Sequence, residues 1–409
     1  MTTEIAIIGA GASGLSCAIE AKRQAKKSGL TLNVTVYEHL SKPCKKILAT
    51  GNGRCNFCNT DLCEAHFHGD TAFINDVLSS QYNDTLVFFK SLGVLPYFEN
   101  GRVYPRSEQA STVRDALLKT CEILNINIVT ECSFDTIKEQ NGKFLILDNK
   151  YDAIIIATGG NSQKAQGSDG SGYKFLKDFG HKITTISPAL SALNVSGKDF
   201  KSLKGLRIKG NFSLFSGRKL LNEEFGEIQF TEQSISGIPV LNTSHFASDK
   251  KNLFAVIDSC YEFTEKDLVE HFTECRYKSP YLRTEDILGG LVPQKIAYLV
   301  MSGNFADIKE NTLISKLTER NINDLAFYLK HIEFKVDGIR DFDYSQVTCG
   351  GATENDFDTK TLMSKKQKGL FACGEILNVN GDCGGYNLHF AWTSGRLAGA
   401  STVKYLNQR

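Results

Sequence analysis

Three glycines, Gly9, Gly11 and Gly14, are spaced as Gly-x-Gly-x-x-Gly after the apolar run Glu4–Ile8, at the head of an amphipathic stretch, Ser13–Lys27. That arrangement can bind the pyrophosphate of a dinucleotide. Gly9 permits the tight turn, Gly11 lets the pyrophosphate approach the backbone, and Gly14 lets helix and strand pack closely. A helix beginning here turns its free N–H groups and the positive end of its dipole toward the phosphates. Glu38 ends the β-branched run Leu32–Tyr37, 24 residues past Gly14. A carboxylate there accepts hydrogen bonds from both ribose hydroxyls and disfavours a 2′-phosphate. The motif alone does not separate FAD from NAD.

Two later segments favour FAD. Ala157-Thr-Gly-Gly160 closes a buried strand, Tyr151–Ala157, with glycines that allow close passage beside a cofactor. Gly369-Leu-Phe-Ala-Cys-Gly-Glu375 is a strand ending in glycine and acid, and Gly381-Asp-Cys-Gly-Gly-Tyr-Asn-Leu388 opens the last helix. The N–H groups of that helix start, Gly384–Leu388, are expected against the flavin pyrimidine, and Glu375 is expected to take ribityl or ribose hydroxyls. An NAD domain does not need this closing half. The chain holds one full Gly-x-Gly-x-x-Gly, so NAD(P)H is expected to bind transiently at the flavin face without its own Rossmann module.

The elements that must position these residues follow from the patterning. Strand, helix and strand over Glu4–Tyr37 form one βαβ unit, with Gly29 as the helix C-cap. Residues 70–92 and 110–125 read as helices, and Asn127–Thr130 and Lys143–Leu147 as strands. From about 188 the texture changes to short strands, Leu206–Phe215, Gly226–Thr231 and Asn252–Ile257, then to helical periodicity over 264–330. Strand texture returns near 334, and Leu388–Leu406 reads as the closing helix. The parse is an α/β nucleotide-binding domain built from both chain ends, 1–190 and 334–409, interrupted by residues 191–333.

Composition narrows the class. The 409 residues carry 47 Lys and Arg against 46 Asp and Glu, a balance that argues against a general nucleic-acid binder. No apolar run reaches the roughly 18–20 residues of a membrane span. A strand follows Met1 almost at once, with no basic region or cleavage site, so the expected location is the cytoplasm. Twelve cysteines without framework spacing are expected to be mostly free and buried. The oligomeric state stays open.

Lys45-Lys-Ile-Leu-Ala-Thr-Gly-Asn-Gly-Arg-Cys-Asn56, Gly101-Arg-Val-Tyr-Pro105, Gly226-Glu-Ile-Gln-Phe-Thr231, Ser236-Gly-Ile-Pro239 and Gly384-Gly-Tyr-Asn387 together give a more specific signal. With them the whole chain resembles the BaiN/YhiN-like flavoproteins, some described as aminoacetone oxidases and some as NAD(P)/FAD-dependent oxidoreductases. The resemblance implies non-covalent FAD in a Rossmann-like domain, with an inserted β-barrel-like domain (β-rich over 191–258) carrying a nested helical subdomain (259–325). Carried onto this sequence, it implies cofactor contacts at Gly9, Gly11, Ala12, Ser13, Gly14, Glu38, Gly53, Arg54, Cys55, Asn56, Phe134, Thr158, Gly159, Gly374, Glu375, Asn387 and Leu388. The adenine is implied to meet the backbone of Phe134. This sequence departs from the family pattern at Cys44, often Gly; at Cys58, often Thr; and at His389, commonly Gln, near the expected flavin edge.

Catalytic candidates are few: Tyr104, His389 and Cys55. Cys55-Asn-Phe-Cys58 with Cys63, His66 and His68 could supply metal ligands or a redox pair, but packed structural thiols are favoured and no metal is expected. Arg54 can hold a phosphate, raise the flavin potential, or form a structural ion pair. Seven Lys and Arg in Lys198–Lys219 read as a solvated face. The favoured activity is NAD(P)H-driven reduction of an activated C=C bond in a small organic substrate, with the insert covering the flavin face; some relatives are linked to steroid or bile-acid ring reduction. The alternatives are a flavin amine oxidase using O2, a nucleic-acid-modifying flavoprotein, and a flavin-binding protein without turnover.

Overall fold

The β-branched, apolar strands β1 (Thr3–Ile8) and β2 (Leu32–Tyr37) flank helix α1 (Ala12–Ser28), whose buried side carries Leu15, Cys17, Ala18, Ile19 and Ala21. Gly29 ends α1 in the left-handed conformation at φ 73°, donating to Ala25 O, and Lys26 and Lys27 sit at the negative end of the helix dipole. The computed structural model describes residues 2–196 and 198–409. The described chain divides into two compact units, one of residues 1–187 with 345–409 and one of 188–344.

The first unit is built on a seven-stranded sheet, ordered Phe357–Asp358, Met363–Ser364, Leu370–Ala372, Ala153–Ile156, β1, β2, Asn127–Val129. The five strands from Leu370–Ala372 to Asn127–Val129 are parallel, and the two at the far edge are antiparallel. Successive strands step outward from β1 through β2 to Asn127–Val129; the chain then returns to the other side of β1. That reversal is a topological switch point, where ligands of open α/β sheets bind beyond the strands' carboxyl ends. The C-terminal helix, Tyr386–Leu406, lies against α1. Gly395 and Gly399 make the close crossing possible: a Cβ on either would sit 2.3 Å from the carbonyl of Ser13 or Cys17.

The second unit is a closed antiparallel barrel ordered Leu193–Val195, Ser234–Ser236, Lys219–Phe230, Arg207–Ser216, Leu253–Asp258, Ile332–Ile339. Phe212, Leu214, Ile228, Phe230, Ile235, Ala255, Ile257 and Phe334 are buried in its core. The helices Glu265–Lys278, Thr284–Gly289, Gln294–Met301 and Glu319–Lys330 lie between its last two strands in sequence. Thr264 and Thr318 start two of them with capping boxes.

Two expectations need correction. The strand texture from 334 belongs to Ile332–Ile339, which closes the barrel rather than opening the returning half of the first unit. The single helix expected over 70–92 is two, Thr71–Leu78 and Thr85–Ser91, because the Asp84 side chain accepts from Val87 N–H and caps a new start. The basic run is a solvated face, as expected: Lys201, Lys204, Arg207, Lys209, Arg218 and Lys219 are exposed, with surface pairs of Lys204 to Glu232 and Arg207 to Glu227. The side chain of Lys198 lies outside the described residues. No helix among the described residues is long and apolar enough to cross a membrane.

Candidate active site

The glycine loop stands at the switch point, and each glycine has a different reason to be there. A Cβ on Gly9, at φ +108°, would meet Ala157 O at 2.4 Å; one on Gly14 would meet Gly9 O at 1.9 Å. Both are required by packing. A Cβ on Gly11 would meet nothing within 4 Å. The space in front of Gly11 is therefore open, beside Ala12 and Ser13 in the first turn of α1, where N–H groups without helical partners collect. Glu38 is buried; its Oε2 accepts from Ala10 N–H at 3.0 Å and its Oε1 from Leu40 N–H at 2.9 Å. The carboxylate braces the loop while each oxygen keeps a second lone pair for a ribose hydroxyl.

The other expected contacts of this half gather around the loop. Ala157, Thr158 and Gly159 leave the strand Ala153–Ile156 beside Gly9, and Gly159 turns at φ +75°. Gly374 lies on α1: a Cβ there would stand 2.5 Å from Ser13 Oγ. Phe134 meets Tyr37 edge-on at 5.5 Å and stacks with Phe175 at 5.5 Å, while Cys132 N–H donates to Glu38 O at 3.0 Å, which brings this segment to the end of β2. Glu375 accepts from Thr348 N–H at 2.8 Å and pairs with Lys46 Nζ at 3.0 Å. Lys46 lies in the Lys45–Asn56 string, though no role was read for it; Thr348 carried no motif.

A second gathering forms at the start of the C-terminal helix. Gly385 caps it at φ 100°, where a Cβ would stand 2.4 Å from Cys58 O and 2.8 Å from Asn56 Oδ1. Asn59 Nδ2 donates to Gly384 O at 2.8 Å, and Trp392 Nε1 donates to Phe57 O at 3.1 Å. The segment Asn56–Asn59 therefore runs along this helix start. The N–H groups of Tyr386, Asn387 and Leu388 precede the first helical bond, from His389 N–H to Gly385 O. The Asn387 side chain points to the backbone: it accepts from Gly381 N–H at 2.8 Å and donates to Gly381 O at 2.7 Å. The side chain thus holds the turn at Gly381 against the start of the helix. Gly53 is open, like Gly11.

Four candidates change character. Cys55 is fully buried, and burial pushes its thiol up to about 12, which disfavours a thiolate near pH 7. Cys58 is pushed up to about 12 by the same cause, and both thiols are free. Arg54 pairs with Glu99 at 2.9 Å and with Glu108, and its guanidinium lies 4.0 Å from the Tyr104 ring centroid, so the ion-pair option is present. His389 is fully buried, with Nε2 2.6 Å from Asn83 Oδ1 and Nδ1 3.0 Å from Thr85 Oγ1 and 3.4 Å from Cys58 Sγ. Asn83 Oδ1 can only accept, so Nε2 carries the proton and Nδ1 accepts. Burial lowers the His389 pKa to about 4, and the ring stays neutral near pH 7. It is a satisfied core histidine.

This carries a pH signature. The folded ring takes a proton only near pH 4, whereas an unfolded histidine takes one near 6.5. The unfolded chain binds more protons across that window, so the contribution is present above pH 6.5 and lost as pH falls through it toward 4, by about 3 kcal/mol in all. Urea unfolding at about pH 7.5 and pH 4.5 should show a steeper loss of stability for the native chain than for His389→Gln. Equal slopes would remove His389 from the account.

The sequence reading missed Asp382 and Asn380. Asp382 holds His66 Nδ1 at 3.0 Å and His68 Nε2 at 2.8 Å, a set made by pairing the strands Phe67–Gly69 and Val379–Gly381 across more than 300 residues. Asn380 is buried, and neither amide atom has a hydrogen-bond partner among the described residues; the Tyr173 hydroxyl is in the same position. Orphaned polar atoms, together with the open space at Gly11 and Gly53, fit a large polar cofactor in this unit.

A parallel sheet with a glycine loop at its switch point, completed by a C-terminal strand, glycine, acid and helix, defines a Rossmann-type fold of the FAD-domain class. The chain belongs to the HI0933-like Rossmann-domain protein family, which matches residues 3–401. It is 35% identical over 410 residues to the 3-dehydro-bile acid delta(4,6)-reductase of Clostridium scindens, covering 98% of this chain and 99% of that one. It is 26% identical to a ribosomal RNA dihydrouridine synthase of Haemophilus influenzae, covering 96% of each chain. Among solved structures, the 3-ketosteroid delta1-dehydrogenase of Sterolibacterium denitrificans shares the fold, with a TM-score of 0.51, 10% identity, and coverage of 98% of this chain and 99% of that one.

Proposed function

We propose that this chain is an FAD-dependent reductase that uses NAD(P)H to saturate a C=C bond conjugated to a carbonyl in a small organic molecule. In balance, NAD(P)H gives a hydride to the β-carbon by way of the flavin, and a proton is added at the α-carbon. The observation that carries this reading is the whole-length relation to a bile acid delta(4,6)-reductase. The dihydrouridine synthase name describes the same bond change, because C5=C6 of uracil is conjugated to its C4 carbonyl.

FAD, when bound, supplies the two-electron chemistry. The chain's own residues do the rest. The Gly9–Gly14 loop and the first turn of α1 receive the diphosphate, and Glu38 the adenosine ribose. Glu375, steadied by Lys46 and Thr348, is placed for ribityl hydroxyls. The N–H groups at Tyr386–Leu388 orient the pyrimidine edge. Cys55 and His389 are fully buried, and Tyr104 Oη on the strand Arg102–Pro105 is the favoured candidate to deliver the proton. Tyr104→Phe should then slow product formation without changing FAD content or its reduction by NAD(P)H; an unchanged rate would leave the proton to solvent.

A second reading, an RNA substrate, draws on the ribosomal RNA relatives, the second of them 24% identical and from Escherichia coli. Charge speaks against it: residues 188–344 hold 20 Lys and Arg against 22 Asp and Glu. One anaerobic experiment separates the readings. The FAD-loaded chain is bleached with NADH or NADPH, then offered a steroid dienone, an unmodified ribosomal RNA transcript, or O2. Recovery of flavin colour with the dienone is expected. Recovery with RNA alone selects the second reading; bleaching by an amine but not by NAD(P)H selects the amine oxidase.

A further inference from the structure

Asp61, Cys63 and His66 lie in the turn between the strands Cys58–Asn59 and Phe67–Gly69, and one ligand-type atom of each falls within 4.8 Å of the other two. We propose that these three side chains form a site for a zinc-class divalent cation, with Asp382 orienting His66 and the fourth position open. No ion is present in the structure.

The geometry of His66 carries the proposal. Its Nδ1 is 3.0 Å from Asp382 Oδ2, and Asp382 N–H donates back to His66 O at 2.9 Å. The ring stacks on Tyr386 at 4.5 Å and 21°. If Nδ1–H donates to Asp382, the lone pair of Nε2 faces Asp61 Oδ2, another acceptor, at 3.3 Å. Two acceptors at that distance need a positive centre between them, either a proton or a metal ion. A carboxylate on the far nitrogen of a ligating histidine is the usual outer partner of a metal site. Donors around a tetrahedral ion with bonds of 2.0–2.3 Å stand about 3.3–3.6 Å apart, as His66 and Asp61 do. Asp61 Oδ1 is occupied by Cys63 N–H at 3.4 Å, which leaves Oδ2 free to ligate.

One thiolate, one imidazole and one carboxylate suit zinc, cobalt or another borderline ion; calcium and magnesium prefer oxygen alone. Asp61 and Cys63 are exposed, so the site is open to solvent and small rotations can close it. Binding displaces the thiol proton and any proton on His66. The ion would fasten the Asp61–Gly69 segment to Asp382 and Tyr386 at the start of the C-terminal helix. The proposal does not depend on the redox reading.

The test uses the full chain, stripped with a chelator. Zinc is added, excess is removed by dialysis, and bound metal is counted; cobalt difference spectra report the ligands. One equivalent is expected, with a thiolate-to-cobalt charge-transfer band that zinc abolishes. Cys63→Ser should remove the band. Asp382→Asn should keep the band but weaken binding by about 10–100-fold. Cys275, 3.8 Å from His271, is the rival thiol, so Cys275→Ser should leave the band unchanged. No saturable band, or a band that survives Cys63→Ser, overturns the site and leaves His66 an imidazolium held between two carboxylates.

Discussion

Gly11→Val should purify as a folded but colourless protein, while the native chain is yellow and releases FAD, not FMN, on denaturation. A valine Cβ at Gly11 enters open space, and the backbone there, at φ −91° and ψ −162°, is extended and suits any residue. The only occupant it can displace is the pyrophosphate. The fold should lose no more than about 1 kcal/mol, the scale of an N-cap change. Gly14→Val is the contrasting variant, because its Cβ would overlap Gly9 O at 1.9 Å. It should cost about 3 kcal/mol or more and lose flavin through loss of fold. Denaturation midpoints and released-flavin chromatography separate the two outcomes. A Gly11→Val protein that keeps full FAD content would sink the dinucleotide reading of the loop.

That contrast also shows where the sequence was readable. The βαβ unit was legible because its signals are local: β-branched strands, a glycine loop, basic residues and Gly29 at the helix end. The packing role of Gly14 was assigned from the motif, and the space around it agrees; the space at Gly11 is open. The break before Thr85 was missed although Ser79–Asp84 is a mostly polar stretch, because Tyr82 carries the apolar spacing across it; Asp84 then caps the second helix. The strand Ile332–Ile339 looked like the returning half because strand texture does not say which sheet it joins; register with Leu253–Asp258 decides that.

What the sequence did not show at the site shares a cause, pairing across long sequence separations. Cys58 and His389, two departures from the resembled pattern, are one contact at 3.4 Å, completed by Thr85 and Asn83. In this chain the two departures pack together as one buried polar contact. Cys44, where the pattern often has Gly, sits at φ 59°, and its N–H and Sγ both point to Ala10 O behind the glycine loop. A left-handed non-glycine residue costs about 1–2 kcal/mol, and these contacts offset part of that. Asp382 was invisible for the same reason, since it acts through His66 and His68.

Asn387→Ala should keep its FAD, lower the flavin potential and slow reduction by NAD(P)H by about 10–100-fold, somewhat less than the loss of a whole charge-stabilising donor. Proline at Gly385 cannot test the same helix start, because proline fixes φ near −65° and Gly385 stands at 100°. Asn387 offers a cleaner route. Its side chain closes the turn at Gly381, bonding both the N–H and the carbonyl of that residue. Removing it leaves the buried Gly381 N–H unpaired, at a cost of about 1–3 kcal/mol, and frees the loop that aims the N–H groups of Tyr386–Leu388. Negative charge gained on reduction would then find its donors displaced, whereas the pyrophosphate loop at Gly9–Gly14 is untouched. Three measurements decide it: FAD content, the potential against a reference dye, and hydrogen exchange at the Gly381 amide. Faster exchange at Gly381 with an unchanged potential would show that this helix start holds the backbone in place without tuning the flavin.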